Sequence, residues 1–339
     1  MYTMNTHELE QTATAILSKT ILAADESTGT IAKRFSSIGV TSTPEINRQY
    51  RQLLFTSPGI EQYVSGIILY DETIRQKTDS GIPFPEYLTG NGIVPGIKVD
   101  TGAQQIPGKK TDTYTEGLDG LSERLYEYYR LGARFAKWRA VYTIHPPTST
   151  YPSDIAIQRN AHDLALYALL CQQHNIVPIV EPEVLMEGNH SFEQYAEVTK
   201  NVLTAVFTYL NEYGVDMTGM VLKPNMVTSG TGNNRQMSVE QVAQKTLDVL
   251  KNTVPSTVPG IAFLSGGQSP DLATEHLAAI NMIRNTDTQS YPWRITASYG
   301  RALQGEALEA WGGKKENTEK AQKIFIDRAE KVYKASLGT

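Results

Sequence analysis

The sequence predicts an α/β protein built as one (β/α)8 barrel, and three observations support this fold. The chain has 339 residues, a length that fits a single large barrel. Eight short apolar or β-branched runs alternate with amphipathic helical stretches. Nearly every run ends in polar residues, and in a barrel such ends surround the mouth where active sites are built.

The predicted strands are almost continuously apolar, which is typical of parallel strands covered on both faces. In chain order they are Ile21–Asp25, Val64–Tyr70, Val94–Val99, Phe135–Tyr142, Val177–Val184, Gly219–Lys223, Gly260–Leu264 and Trp293–Ser298. Eight is the number of strands that closes this type of barrel.

Helical patterns lie between these strands. The clearest are Leu118–Gly132, Ser191–Tyr213, Asp271–Ile283 and Thr318–Leu337. Ser191 and Gln194 have the spacing of a capping box, as have Ser238 and Gln241. Helix-flanked strands repeated along the whole chain favour a barrel over two separate domains.

Charge and composition exclude several classes of partner. The formal net charge of −5 gives no bulk electrostatic support for binding nucleic acid. No run of about 18 apolar residues is present, so no membrane span is predicted. The single cysteine, Cys171, excludes an internal disulfide and favours a reducing compartment. Because the first residues also lack the pattern of a secretory signal, a cytoplasmic location is expected.

Polar residues at the strand ends form the candidate site. They are Asp25, Ser27, Lys98, Lys137, Arg139, Glu181, Glu183, Lys223, Ser265, Gly266, Gly267, Ser298, Gly300 and Arg301. Lys137 and Arg139 are two residues apart on one strand and share a face, as do Glu181 and Glu183. An ionised group inside a protein is costly unless it is paired, so this many converging charges indicate function.

Each feature also has a structural interpretation. Asp25 or Ser27 could cap the next helix, and Ser265–Gly267 could be a plain turn. The three lysines could be exposed on misplaced strands, and the two glutamates could form structural ion pairs with Lys137 and Arg139. Together these alternatives require seven strand ends to be polar for seven unrelated reasons.

These residue types suit imine chemistry on a phosphorylated ketone. A lysine among apolar walls and other cations has a lowered pKa, and its neutral amine can attack a ketone. The protonated imine then stabilises the carbanion left when the adjacent carbon–carbon bond breaks. Glu181 and Asp25 could carry the protons, and Arg301 with the Ser265–Gly267 amides could bind phosphate. The six histidines are scattered without metal-ligand spacing, so no metal and no other cofactor are predicted.

Seven long motifs resemble those of the class I fructose-1,6-bisphosphate aldolases over nearly the whole chain. They are Leu22–Gly29, Phe135–Arg139, Val177–Glu183, Leu222–Val227, Phe263–Ser269, Ser298–Leu303 and Trp311–Asn317. The resemblance implies a TIM-barrel lyase that is metal-independent and forms a Schiff base. It also implies a sugar-phosphate substrate, fructose 1,6-bisphosphate, cleaved reversibly to dihydroxyacetone phosphate and glyceraldehyde 3-phosphate in glycolysis and gluconeogenesis. A homotetramer is implied as well.

The same resemblance implies a role for each matching residue. Lys223 would form the Schiff base, and Glu181 would shuttle protons during imine formation. Asp25 would act at the C4 hydroxyl, with Lys137 as an electrostatic and proton-relay partner. Glu183 would balance the lysine charges. The C1-phosphate residues would be Ser265, Gly266, Gly267, Ser298, Gly300 and Arg301. The C6-phosphate side would hold Ser27, Thr30, Arg34 and Lys98, with Arg139 close by.

The chain departs from the family pattern at its end. Well-known animal members carry a long C-terminal tail that ends in tyrosine, whereas this chain ends at Thr339 soon after its last predicted helix. One domain over residues 1–339, without that tail, is therefore expected. Thr30 stands where serine is common, which keeps the hydroxyl.

Two other functions compete with this prediction. Another Schiff-base barrel, such as a transaldolase, needs only one phosphate site, whereas cations on both sides of this pocket favour a bisphosphate. A non-catalytic scaffold would predict a lost lysine or carboxylate, and all of them are retained.

Overall fold

A closed parallel barrel forms the centre of the computed structural model, which describes residues 4–144 and 152–339. Within these residues the strands are β1 (Thr20–Ala23), β2 (Val64–Leu69), β3 (Val94–Lys98), β4 (Gly102–Gln105), β5 (Thr113–Glu116), β6 (Phe135–Tyr142), β7 (Val177–Val184), β8 (Val221–Leu222), β9 (Gly260–Phe263) and β10 (Arg294–Tyr299). Eight of them close the barrel in the order β1-β2-β3-β6-β7-β8-β9-β10. The predicted (β/α)8 fold is confirmed.

Of the helices, one precedes the first strand, and the others lie between or after the barrel strands. They are α1 (Thr6–Ile16), α2 (Thr28–Ser36), α3 (Pro44–Phe55), α4 (Asp71–Ile74), α5 (Phe84–Gly90), α6 (Leu121–Arg130), α7 (Asp154–Gln173), α8 (Phe192–Glu212), α9 (Val239–Thr253), α10 (Pro270–Thr286), α11 (Arg301–Trp311) and α12 (Thr318–Leu337). Both predicted capping boxes form, at Ser191 with Gln194 and at Ser238 with Gln241. Among the described residues, no helix is long and apolar enough to cross a membrane.

The antiparallel hairpin of β4 and β5 was not predicted. It lies between β3 and α6, where its two strands pair with each other. The Thr113 and Thr115 hydroxyls donate to backbone carbonyls of β6, so the hairpin is fastened beside that strand.

The barrel interior has an apolar layer toward the N-terminal ends of its strands. Ile21, Phe135, Ile179 and Val221 belong to one buried cluster there. Gly96 makes room for this packing, because a Cβ built on it would lie 2.3 Å from the Phe135 ring. Residues two or four positions further along each strand point into the same interior closer to the mouth.

Helix α1 closes the opposite end of the barrel from the mouth. Its Leu9, Ala13 and Ile16 are fully buried and belong to the same apolar cluster. Its start is capped by Asn5, whose side chain accepts from the Glu8 amide. The mouth is therefore the accessible end of the barrel.

Candidate active site

Lys223 follows β8 directly and reaches the barrel interior. Its side chain is 5% exposed, and its Nζ lies 3.1 Å from Oε1 of Glu181 on β7. The Lys223 amide donates to the Val180 carbonyl at 2.8 Å, which extends the strand pairing by one residue. The alternative that Lys223 is an exposed residue on a misplaced strand is therefore wrong.

Lys137 lies among three carboxylates at the same depth. Its Nζ is 2.8 Å from Asp25 Oδ2, 3.4 Å from Glu181 Oε2 and 3.8 Å from Asp100 Oδ2. Glu181 thus contacts Lys137 with one oxygen and Lys223 with the other. The Glu181 carboxyl therefore bridges the two lysine amines.

The charges around Asp25 and Lys137 hold these two groups in the ionised form. Burial alone would raise the pKa of Asp25, but the neighbouring lysines, Lys137 foremost, lower it below its usual range. Burial would lower the pKa of Lys137, but Asp25, Glu181 and Asp100 raise it above its usual range. Asp25 is therefore a carboxylate and Lys137 an ammonium ion at neutral pH.

Asp100 is a buried member of this cluster that the sequence analysis missed. Its Oδ1 lies 2.6 Å from Nζ of Lys98, and its backbone carbonyl accepts from the same amine at 2.6 Å. Its other oxygen accepts from the Arg139 amide at 3.3 Å. Because Asp100 is two residues after Lys98, their shared face was the signal that could have revealed it.

Arg139 and Glu183 form a second ion pair nearer the rim of the mouth. Nε of Arg139 lies 2.5 Å from Oε2 of Glu183, and the Arg139 side chain is 42% exposed. Burial would lower the pKa of Arg139, but Glu183 raises it. Both predicted glutamates therefore make ion pairs, as the structural interpretation allowed.

The turn after β9 meets the start of α11. Nη2 of Arg301 donates to the Gly266 carbonyl at 3.3 Å, which joins the two segments. Gly266 has φ +57°, a left-handed conformation that favours glycine. Ser298 is buried on β10, and among the described residues its hydroxyl has no hydrogen-bond partner. Ser298, Gly300, Arg301 and the Ser265–Gly267 turn thus lie at two adjacent strand ends.

The start of α2 brings hydroxyl groups to the neighbouring part of the mouth. Ser27 caps this helix, and its hydroxyl lies 3.1 Å from that of Thr30. The capping alternative thus holds for Ser27 but not for Asp25, which pairs with Lys137. Arg34 leaves the same helix and forms an ion pair with Glu26.

The model of the family described as fructose-bisphosphate aldolase class-I matches residues 8–339 of the chain. The chain belongs to the class I fructose-bisphosphate aldolase family. It is 50% identical over 338 residues to a "Probable fructose-bisphosphate aldolase class 1" of Xanthomonas campestris pv. campestris, with 99% of each chain covered. It is also 50% identical over 320 residues to "Fructose-bisphosphate aldolase 4, cytosolic" of Arabidopsis thaliana, with 94% of this chain and 80% of that protein covered.

A solved structure has the same fold. The fructose-bisphosphate aldolase of Plasmodium falciparum, crystallised with TRAP and a small-molecule inhibitor, matches with a TM-score of 0.95 and 46% identity. The match covers 98% of this chain and 95% of that one. The predicted family, fold and enzyme class are confirmed: the protein is an aldehyde-lyase that cleaves fructose 1,6-bisphosphate in glycolysis.

This aldolase gathers the predicted residues at one mouth in two groups. The buried group contains the three lysines and the carboxylates between them. The outer group contains the turn after β9, the start of α11 and the start of α2. Arg34 and Gly300, which the resemblance assigns to opposite phosphates, are neighbours: a Cβ on Gly300 would lie 3.8 Å from Arg34 Nη2.

In residues 4–144 and 152–339, no three His, Cys, Asp or Glu side chains are grouped so that they could hold a metal ion. One of the six histidines, His145, lies outside these residues. Metal-independent catalysis therefore stays a prediction.

Proposed function

We propose that Lys223 carries this reaction as the Schiff-base lysine. Its amine would attack the C2 carbonyl of the open-chain ketose and form a carbinolamine. The observation that supports this best is the 3.1 Å separation between Lys223 Nζ and Glu181 Oε1 inside the barrel. A carboxyl at hydrogen-bonding distance from the amine can transfer the protons that imine formation needs.

Glu181 would protonate the carbinolamine oxygen, which leaves as water, and the product is a protonated imine. Asp25 would then take the proton of the C4 hydroxyl, and the C3–C4 bond would break toward the imine. Glyceraldehyde 3-phosphate departs, and the bonding electrons remain as an enamine on C3. Protonation at C3 and hydrolysis of the imine release dihydroxyacetone phosphate and restore Lys223.

The electrostatics of the buried group suit these steps. Asp25 has a lowered pKa, so it is ionised and ready to accept a proton. Lys137 stays charged beside Asp25 and Glu181 and would stabilise negative charge that develops on substrate oxygens. Glu183 would balance the lysine charges, and its direct ion pair is with Arg139.

The outer group would bind the two phosphates. For the C1 phosphate we propose Ser265, Gly266, Gly267, Ser298, Gly300 and Arg301. For the C6 side we propose Ser27, Thr30, Arg34 and Lys98, with Arg139 close by. The Ser298 hydroxyl, which has no hydrogen-bond partner in the described part of the chain, and the start of α2 are suitable donors, because hydroxyls and helix N-termini favour anions.

We also propose one domain across residues 1–339, a homotetramer and a cytoplasmic location. The location is supported by the Arabidopsis relative, whose name includes "cytosolic". Light scattering of the purified protein tests the assembly, since a mass of one or two chains contradicts a tetramer.

Borohydride trapping tests the central proposal. Dihydroxyacetone phosphate and borohydride should leave an adduct on Lys223, located by intact mass and peptide mapping, in the same yield with and without EDTA. Lys223→Met should abolish both the adduct and turnover, and Lys200→Met on the exposed face of α8 is the matched control. Substantial cleavage by the Lys223→Met enzyme removes this residue from its role.

A further inference from the structure

A buried carboxylate at the end of β1 joins two arginines from consecutive helices. Glu26 pairs through Oε1 with Arg34 of α2, and its Oε2 lies 2.6 Å from Nη1 of Arg51 of α3. The Glu26 side chain is 3% exposed. The three side chains therefore carry a net charge of +1, because one carboxylate serves two guanidinium groups.

The two arginines differ in their access to the mouth. The Arg51 side chain is 2% exposed, whereas that of Arg34 is 26% exposed. Arg34 Nη2 also lies beside Gly300, at the end of β10. The excess positive charge can therefore reach a ligand only through Arg34.

Buried polar groups from α11 and α3 fix Glu26 in place. Nε2 of Gln304 donates to Glu26 Oε1 at 2.7 Å and to the Ala23 carbonyl at 3.0 Å. The Tyr50 hydroxyl donates to Oε1 of Gln304 at 3.0 Å. Gln304 and Tyr50 are neutral, so they do not balance the negative charge of Glu26. Within this network, Arg51 is the one cation besides Arg34 that does so.

We propose that Arg51 is a positioning residue for the C6 phosphate of the substrate. It acts through Glu26: by offsetting this carboxylate, Arg51 leaves Arg34 with a net positive charge at the mouth. Without Arg51, Glu26 neutralises Arg34, and the net charge of the network falls from +1 to 0. This inference rests on the proposed placement of Arg34 at the C6 phosphate.

Two substrates separate this role from a general effect on folding. Fructose 1-phosphate lacks the C6 phosphate, so its cleavage cannot lose a contact between Arg34 and that phosphate. Arg51→Gln should raise KM for fructose 1,6-bisphosphate by about tenfold or more, the effect of losing one charge-assisted bond. Its kcat on fructose 1-phosphate should stay within about twofold of the wild-type value. The reason is that the reacting carbons would lie beside the buried lysines and carboxylates and not beside Arg34.

A charge-balanced second variant guards against a loss of folding, since breaking a buried pair leaves an uncompensated charge. Arg51→Gln combined with Glu26→Gln removes one cation and one anion and keeps the net charge of +1. We expect it to restore the ratio of kcat/KM for the bisphosphate over fructose 1-phosphate to near the wild-type value. Arg51→Lys keeps the cation and should retain most of that ratio.

The proposal is overturned if Arg51→Gln lowers kcat/KM equally for both substrates. It is also overturned if the double variant folds and fails to recover the ratio of the two kcat/KM values. Neither result bears on the Schiff base, which the trapping of Lys223 tests separately. Conversely, a missing Lys223 adduct would remove the proposed chemistry whatever the substrate ratio shows.

Discussion

Asp25 shows how a single side chain can be held in a charge state that its depth disfavours. A carboxylate removed from water tends to take up a proton, but Lys137 contacts Asp25 at 2.8 Å, and two further lysines add to its effect. Its pKa is lowered, so the negative charge persists until the pH falls well below neutrality. Such a residue can accept a proton during the reaction without first having to lose one.

Asp25→Asn should therefore slow carbon–carbon bond cleavage without preventing imine formation. The amide cannot accept the C4 hydroxyl proton, so cleavage of fructose 1,6-bisphosphate should slow by about 10²–10⁴-fold, the usual contribution of a general base. In the proposed mechanism, imine formation needs Lys223 and Glu181 but not Asp25, so borohydride should still trap dihydroxyacetone phosphate.

The matched control is Asp119→Asn, which changes an exposed carboxylate before α6. It should leave both measurements unchanged. If Asp25→Asn cleaves the bisphosphate at nearly the wild-type rate, Asp25 is not the base. If it loses trapping as well, the residue acts on the buried cluster as a whole.

The alternation of side chains along a strand explains the architecture of this interior. On β7, Val177 and Ile179 face the apolar layer, and Glu181 follows with the same orientation nearer the mouth. On β6, Phe135 precedes Lys137 in the same way. On these two strands, the apolar side chain two positions earlier therefore anchors the functional residue.

Gly96→Ala tests this anchoring. The new Cβ would lie 2.3 Å from the Phe135 ring, which must shift. Overpacking of this kind costs about 1–3 kcal/mol of unfolding free energy, more than the roughly 0.4–1 kcal/mol that a compatible glycine-to-alanine change gains in chain entropy. We expect lower stability in guanidinium unfolding and reduced kcat, because Phe135 and Lys137 share a strand.

Adding Phe135→Leu should recover part of the lost stability and part of the lost kcat, because the smaller side chain leaves room for the new Cβ. Gly90→Ala is the control, since a Cβ there meets no atom within 4 Å. An unchanged kcat in a destabilised Gly96→Ala enzyme would show that the apolar layer does not position Lys137.

Elements with strong apolar patterns could be predicted from the sequence, and weakly patterned ones could not. The strand Val177–Val184 is matched residue for residue, because it is buried along its full length. The β4–β5 hairpin escaped prediction because β4 (Gly102–Gln105) is polar and mostly exposed, with no apolar alternation. Asp100 escaped with it, since it lies two residues after the end of β3 and just before the hairpin.

At the scale of the whole molecule, contacts between distant segments were beyond the sequence pattern. Glu26 and Gln304 are 278 positions apart and meet only because the closed barrel brings β1 beside β10. The residue types at the mouth could be recognised, but their pairing could not. Which lysine meets which carboxylate depends on barrel closure, as the contacts of Lys137 with three different strand ends illustrate.

A mutation at the closed end of the barrel should therefore lower the stability of the protein without changing catalysis at the mouth. Leu9 of α1 is fully buried at the closed end, where it packs against Gly219. Leu9→Ala should cost about 2–5 kcal/mol of unfolding free energy, through lost burial and the cavity it leaves. Since active sites lie at the opposite face, kcat and KM at 25 °C should stay within about twofold of wild type.

Thr14→Ala, at an exposed position of the same helix, controls for changes in helix propensity and should alter neither quantity appreciably. Guanidinium unfolding and steady-state kinetics on the same preparations give both quantities. A large fall in kcat in the folded Leu9→Ala enzyme would mean that packing at the closed end reaches the lysines at the mouth. The apolar layer between them would then transmit the disturbance instead of absorbing it.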